Sequence, residues 1–227
     1  MIKAVIFDMY ETLITQYESP LYFSSQMAVD AGIPENQFQA MWRAMETERT
    51  IGNITLEKAI EIILKKNGCY AKELLDTIVH KRIECKKECF HHLHTEIIPL
   101  LCSLKNKGIR IGLISNCFSE EAKVIRNSVL FPYFDAVCLS YEEGIQKPNT
   151  EIYKRCINRL RVKACECLYV GDGGSQELEA ANGLGIKAVQ AVWYFKTGTT
   201  QHCGRKAAFT QIETPLDIRK TSYKKSS

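Results

Sequence analysis

The first apolar run of the chain stops on an acid: Ala4, Val5, Ile6 and Phe7 are followed at once by Asp8. An unbroken apolar run this short reads as a strand covered on both faces, as in a parallel sheet. Open sheets of that kind place ligands just past the carboxyl ends of their strands, and Asp8 falls there. A carboxylate fixed at that point is a candidate nucleophile or metal ligand. For the fragment alone, a helix cap or a turn is the plainer alternative.

After Leu13 the apolar spacing becomes helical. Residues 21–31 carry Leu21, Phe23, Met27, Val29 and Ala31 and stop at Gly32, with Pro34 beyond. Residues 35–50 place Phe38, Met41, Trp42 and Met45 on one helix. Thr55 opens a third helix, through Ile60, Ile63 and Leu64 to Asn67-Gly68, and residues 71–89 form a fourth through Leu74, Leu75, Ile78 and Val79. From residue 96 onward helices (96–107, 119–128, 149–160, 175–184) alternate with strands (109–114, 134–139, 167–170, 186–192), and a last strand is expected at 209–212. The alternation implies an α/β fold with a doubly wound parallel sheet. Its core is residues 1–15 and 92–227, and residues 16–91 form a helical cap inserted after the first strand.

The chain has 227 residues, 45% hydrophobic and 25% charged, enough for one sizeable core and an appendage. Its net charge of +4 is weighted toward Lys220, Lys224 and Lys225, and residues 221–227 read as a frayed tail. The remainder is near neutral, so no basic face for nucleic acid is indicated. With no apolar run of about 18 residues and no signal-peptide pattern, no membrane partner is expected and a cytoplasmic location is. Nothing in the sequence sets the oligomeric state. The ten cysteines are scattered, and Cys102, Cys138 and Cys156 lie in apolar strings; reduced, mostly buried thiols are expected. Cys85 and Cys89, with His91, His92 and His94 nearby, offer zinc-ligand types, but no second pair completes a set of four, and Cys165-Glu166-Cys167 is too tight. The Cys85 cluster therefore reads as a helix end leading into a linker.

Three strands end in chemistry rather than in plain turn residues: the first in Asp8, the second in Ser115-Asn116, the fourth in Gly171-Asp172. Lys147-Pro148 precedes a helix. A parallel sheet puts these strand ends on one edge, so Asp8, Asp172, Ser115 and Lys147 converge. Two carboxylates can share a magnesium ion. A hydroxyl, backbone amides and a lysine can hold the oxygens of a phosphoryl group while Asp8 attacks. Taken singly, Ser115-Asn116 is equally a strand-to-helix cap pair, and Lys147 a solvated turn lysine.

These stretches resemble, over nearly the whole chain, the motifs of the haloacid dehalogenase-like (HAD) hydrolases. Phe7-Asp8-Met9-Tyr10-Glu11-Thr12-Leu13 is similar to the first motif and Leu113-Ile114-Ser115-Asn116 to the second. Lys147-Pro148-Asn149-Thr150-Glu151-Ile152-Tyr153 is similar to the third and Val170-Gly171-Asp172-Gly173-Gly174-Ser175-Gln176-Glu177 to the fourth. The resemblance implies a Rossmann-like core with a cap after the first motif. It implies that Asp8 is a nucleophile carrying an aspartyl intermediate, and that Ser115 with Asn116 binds the transferring group. Lys147 would stabilise the charge of Asp8 and the substrate, and Thr12 would hydrogen-bond near the nucleophile. Asp172 would bind Mg2+ with the backbone carbonyl of Tyr10, and Glu177 would support the metal through water or orient Lys147.

One position departs from the family's phosphatases, which carry a second Asp where this chain has Tyr10. A tyrosine there resembles the L-2-haloacid dehalogenases. Trp42-Arg43 resembles the segment where those enzymes hold a halide, which makes Arg43 a candidate substrate contact; facing the cap core and solvent is the alternative for that pair. Asp172 points the other way, because the dehalogenases work without metal and lack that acid. A metal opposite a carboxylate nucleophile suits a phosphoryl dianion. The expectation is thus a magnesium-dependent phosphatase of a small phosphorylated metabolite. A dehalogenase is the second reading, and a weakly catalytic metabolite-binding protein the third.

Overall fold

The computed structural model describes residues 1–195 and 203–222. Six parallel strands form one sheet: β1 Ala4–Phe7, β2 Arg110–Ser115, β3 Ala136–Leu139, β4 Cys167–Gly171, β5 Lys187–Ala191 and β6 Thr210–Ile212, in the order β3-β2-β1-β4-β5-β6. β1 is fully buried because both faces are covered. Val5 and Phe7 join one apolar cluster, and Ala4 and Ile6 join the cluster on the opposite face. The strand order reverses at β1, and such a switch point opens a crevice at the carboxyl ends of the strands. In register, Phe7 lies beside Leu113 of β2 and Val170 of β4, so Asp8, Ile114 and Gly171 come next on one edge.

The helices are α1 Ser24–Ala31, α2 Glu35–Ala44, α3 Glu46–Thr50, α4 Leu56–Lys66, α5 Lys72–Glu88, α6 Ile97–Asn106, α7 Ser119–Arg126, α8 Ser140–Glu143, α9 Thr150–Leu160, α10 Glu177–Gly183 and α11 Ile218–Ser222. α1 to α5 follow β1 without a strand and enclose a third apolar cluster, from Met27 to Ile78. The expected helix over 35–50 is two helices, because Met45 leaves helical geometry at φ −100°, ψ 7°. α3 keeps Glu46, Thr47 and Glu48 exposed and turns Arg49 and Thr50 inward. Leu21 and Val29, read from the sequence as part of an apolar stripe, are 42% and 79% exposed, and α1 starts only at Ser24. Thr221 and Ser222, expected in the frayed tail, close α11; the rest of that expected tail, 223–227, lies outside the described residues. No helix among the described residues is long and apolar enough to cross a membrane.

The helical insert docks on the sheet domain along two seams. In one, Arg82 and Lys86 of α5 pair with Glu120 and Glu121 of α7, all buried: Arg82–Glu120 3.1 Å, Arg82–Glu121 3.3 Å and Lys86–Glu121 2.7 Å. Removing one partner of such a pair costs about 3–5 kcal/mol. In the other seam, the Leu56 N–H donates to Ser119 Oγ at 2.9 Å. Gly52, at φ 87°, lies against the Tyr141 carbonyl, where a Cβ would overlap it.

Candidate active site

Asp8 emerges from β1, its N–H donating to the Val170 carbonyl at 2.9 Å. The turn that follows is tight, with Glu11 at φ 57°. β2 delivers Ser115, fully buried, and then Asn116. Asn116 clamps the backbone of Lys147 from both sides: the Lys147 N–H donates to Asn116 Oδ1 at 2.8 Å, and Asn116 Nδ2 donates to the Lys147 carbonyl at 3.1 Å. So held, the Lys147 ammonium reaches Asp8 Oδ1 at 2.6 Å and Glu177 Oε2 at 2.5 Å.

Glu177 opens α10 and is itself braced. Tyr169 donates its hydroxyl to Glu177 Oε2 at 2.8 Å, the Gly173 N–H donates to Oε1 at 3.0 Å, and Tyr153 donates to the Glu177 carbonyl at 3.2 Å. The chain reaches α10 through Ser175 and Gln176, both left-handed at φ 50° and 51°. Gly171 makes room for this: a Cβ there would overlap the Glu177 carboxylate. Asp172, just past β4, accepts the Gly174 N–H at 2.8 Å, and its carbonyl accepts Gln190 Nε2 at 2.8 Å.

Asp8, Asp172 and Glu177 therefore converge, each offering a carboxylate oxygen within 4.8 Å of the others. Burial pushes Asp8 up to about 7, with Lys147 opposing and Glu177 adding to the rise. Burial also pushes Asp172 up to about 8, reinforced by the charges of Glu177 and Asp8. For Lys147, burial acts to lower the pKa, but Asp8 and Glu177 outweigh it and hold the ammonium above its ordinary value. Ionised together, these three carboxylates outnumber the one ammonium among the described residues that bonds them, a deficit that a divalent cation with oxygen ligands fills.

The remaining candidates are placed differently. Thr12 is buried, and its Oγ1 has no hydrogen-bond partner among the described residues; its carbonyl accepts Trp193 Nε1 at 2.9 Å. The Tyr10 phenol is turned toward the α5–α7 seam, with Lys86 Nζ 5.1 Å from its ring centroid and its buried hydroxyl unpartnered among the described residues. Burial, then the charge of Glu121, holds its pKa well above that of a free phenol. Arg43 lies on the exposed side of α2, donating to Gln39 Oε1 at 3.3 Å, and is not brought to the cluster. Of the Cys85 group, Cys85 donates to the Pro20 carbonyl at 3.2 Å, while His91 and His92 pair with Glu88.

Sequence reasoning overlooked Tyr169 and Gln190. A tyrosine and a glutamine among apolar strand neighbours must each find a hydrogen-bond partner, and that was the available signal.

A family model described as haloacid dehalogenase-like hydrolase matches residues 2–185. The glyceraldehyde 3-phosphate phosphatase of Methanopyrus kandleri is 27% identical over 208 residues, covering 84% of this chain and 84% of that one. Among solved structures, the HAD phosphatase from Thermococcus onnurineus matches with a TM-score of 0.67 at 22% identity, covering 97% of both chains. The 2-haloacid dehalogenase from Pseudomonas syringae pv. Tomato DC3000 matches with the same TM-score, 0.67, at 19% identity and the same coverage. The fold is thus shared equally with both, and the chemistry must be argued from residues.

Proposed function

The chain belongs to the haloacid dehalogenase-like hydrolases, and from that membership we propose that it is a magnesium-dependent phosphatase acting on a small phosphorylated metabolite through an aspartyl-phosphate on Asp8. The observation that carries this reading is the trio of Asp8, Asp172 and Glu177 beside the ammonium of Lys147. Attack at the carbon of a haloacid calls for a carboxylate nucleophile but no cation beside it, whereas a phosphoryl dianion is served by both. The phosphatase named among the relatives supports the same choice.

In this reading Asp8, Asp172 and the carbonyl of Tyr10 would hold the ion, with Glu177 behind them. Magnesium bound there offsets the charge of the phosphoryl oxygens. Lys147 favours the ionised form of Asp8 and holds one of its oxygens, leaving the second to attack phosphorus. The bond from phosphorus to the ester oxygen breaks as the bond to Asp8 forms, and the leaving alkoxide takes its proton from solvent water. Ser115 and Asn116 receive the peripheral oxygens. Water then attacks the aspartyl-phosphate, releasing phosphate and restoring Asp8. Residues 16–91 act as a cap over the core of 1–15 and 92–227, and enclosure by a cap suits a small substrate. The free thiols fit a reducing, cytoplasmic setting.

A screen of small phosphate esters and 2-haloacids, each with and without magnesium, tests the proposal. Phosphate release that needs magnesium is the expected result. Chloride release from L-2-chloropropionate in chelator would replace this reading with a dehalogenase.

Two substitutions probe the assignments. Lys147→Ala is expected to lower kcat/KM on the order of 10²–10³-fold, because Asp8 and Glu177 lose their shared cation; a near-parental value would reduce Lys147 to a structural lysine. Tyr10→Phe is expected to change kcat by less than about threefold and to leave the melting temperature level or raised, since the hydroxyl it removes is buried without a partner. A loss of activity approaching 10²-fold, the ordinary contribution of a general acid, would instead put the phenol in the reaction.

A further inference from the structure

The buried charge of the insert–core junction is unbalanced. Arg49, Arg82 and Lys86 face two carboxylates, Glu120 and Glu121, and all five side chains are buried. Arg82 and Lys86 are the cations that pair with the two acids. Arg49, only 1% exposed, pairs with no carboxylate among the described residues. Its guanidinium lies 3.5 Å from the ring centroid of Trp42, in the insert, and 4.0 Å from that of Phe118, in the core. Nη2 donates to the Trp42 carbonyl at 3.2 Å, while Nε and Nη1 have no partner among the described residues.

A buried cation is retained when something answers it. Two aromatic faces answer part of the charge, but they accept none of the N–H groups. Burial pulls the Arg49 pKa down to about 10, with Glu120 opposing and Arg82 adding to the fall. Phe118 belongs to the β2–α7 connection that also carries Asn116, just past Ser115 at the end of β2, so the guanidinium stacked on it stands on the insert's side of the segment expected to bind phosphate. Trp42 and Phe118 fix the plane of the guanidinium, and a carboxylate satisfies an arginine edge with two parallel hydrogen bonds.

We propose that Arg49 is a specificity-determining residue that receives a carboxylate of the substrate while Asp8 takes the phosphoryl group, so that the substrate class is a small phosphorylated carboxylic acid. This rests on the phosphatase reading of the same site. Three probes share a carbon skeleton and differ only at C1: 3-phosphoglycerate (carboxylate), glyceraldehyde 3-phosphate (aldehyde) and glycerol 3-phosphate (alcohol). The parent enzyme is expected to favour the acid over the alcohol by roughly 30-fold in kcat/KM, the worth of a charged hydrogen-bonded contact.

In Arg49→Met that ratio is expected to fall to within about threefold of unity, mainly through a raised KM for the acid. Arg49→Lys keeps the charge without the planar fork and is expected to lose several-fold of the preference; it decides the matter if thermal melting shows that the methionine variant does not fold. An aldehyde or alcohol used as well as the acid by the parent, or a ratio unchanged in the folded variants, overturns the proposal. Should no ester be turned over, the phosphatase reading falls, and calorimetry of 3-phosphoglycerate and glycerol 3-phosphate on the parent and Arg49→Met proteins decides the role of Arg49. Tighter binding of the acid that depends on Arg49 upholds it, and equal binding overturns it.

Discussion

Asp8→Asn is expected to lower turnover of phosphate esters on the order of 10⁴-fold or more, the scale on which enzymes lose rate with their nucleophile. The amide keeps the size and shape of the carboxylate but carries no charge to attack phosphorus. The fold has no reason to fail. Asp8 sits among two other acids, and burial, with the charge of Glu177 adding and Lys147 opposing, pushes its carboxyl up to about 7. Neutralising it removes a repulsion in the metal-free protein, so the melting temperature of the stripped variant is expected to match or exceed that of the parent. Activity above about 1% of the parent, in a sample free of contaminating hydrolase, would contradict the nucleophile assignment.

Removing magnesium is expected to abolish ester hydrolysis, and returning it to restore the rate. Stability gives a second readout that needs no turnover. In the stripped protein Asp8 is raised to about 7 and Asp172 to about 8, against 3.8 for both in the unfolded chain. The folded protein therefore holds protons that the unfolded chain has released. The stabilising effect of those protons is fully present below about pH 4 and is lost as pH rises through 7 to 8. The melting temperature of the stripped protein is expected to fall over that window. Magnesium should flatten the fall, because the cation replaces the protons. Identical melting curves at pH 8 with and without magnesium would remove the metal from the site.

The strand ends were legible because each apolar run stops at a polar residue with its own chemistry. Asp8, Ser115 and Asp172 needed only the rule that parallel strands finish on one edge. The helical insert was legible from spacing alone. Which arginine of the insert turns inward was not. Arg43 and Arg49 lie on what reads as one helix, and the break at Met45 is a local change in backbone angles with no Gly or Pro to announce it. The direction of the Tyr10 phenol was hidden for a similar reason, since Glu11 next to it takes a left-handed conformation that the sequence does not require. Arg82, Lys86, Glu120 and Glu121 carry no signal in the sequence that marks them as buried. Their burial depends on α5 meeting α7, elements well apart in the chain. α8 is a single turn, too short to show a period.

Gly171 carries a consequence for how such sites can diverge. The volume that a side chain at position 171 would fill is occupied by the Glu177 carboxylate, and that carboxylate contacts Lys147 at 2.5 Å. An acid introduced at 171 would not enlarge the cluster. It would evict Glu177 and take the brace from Lys147 with it. An acid at the strand's end and an acid opening the next helix are therefore rival tenants of one space. A lineage moving from one arrangement to the other must change both positions together or pass through an ancestor with a crippled lysine. That barrier makes the glycine a constraint on divergence as well as a packing requirement.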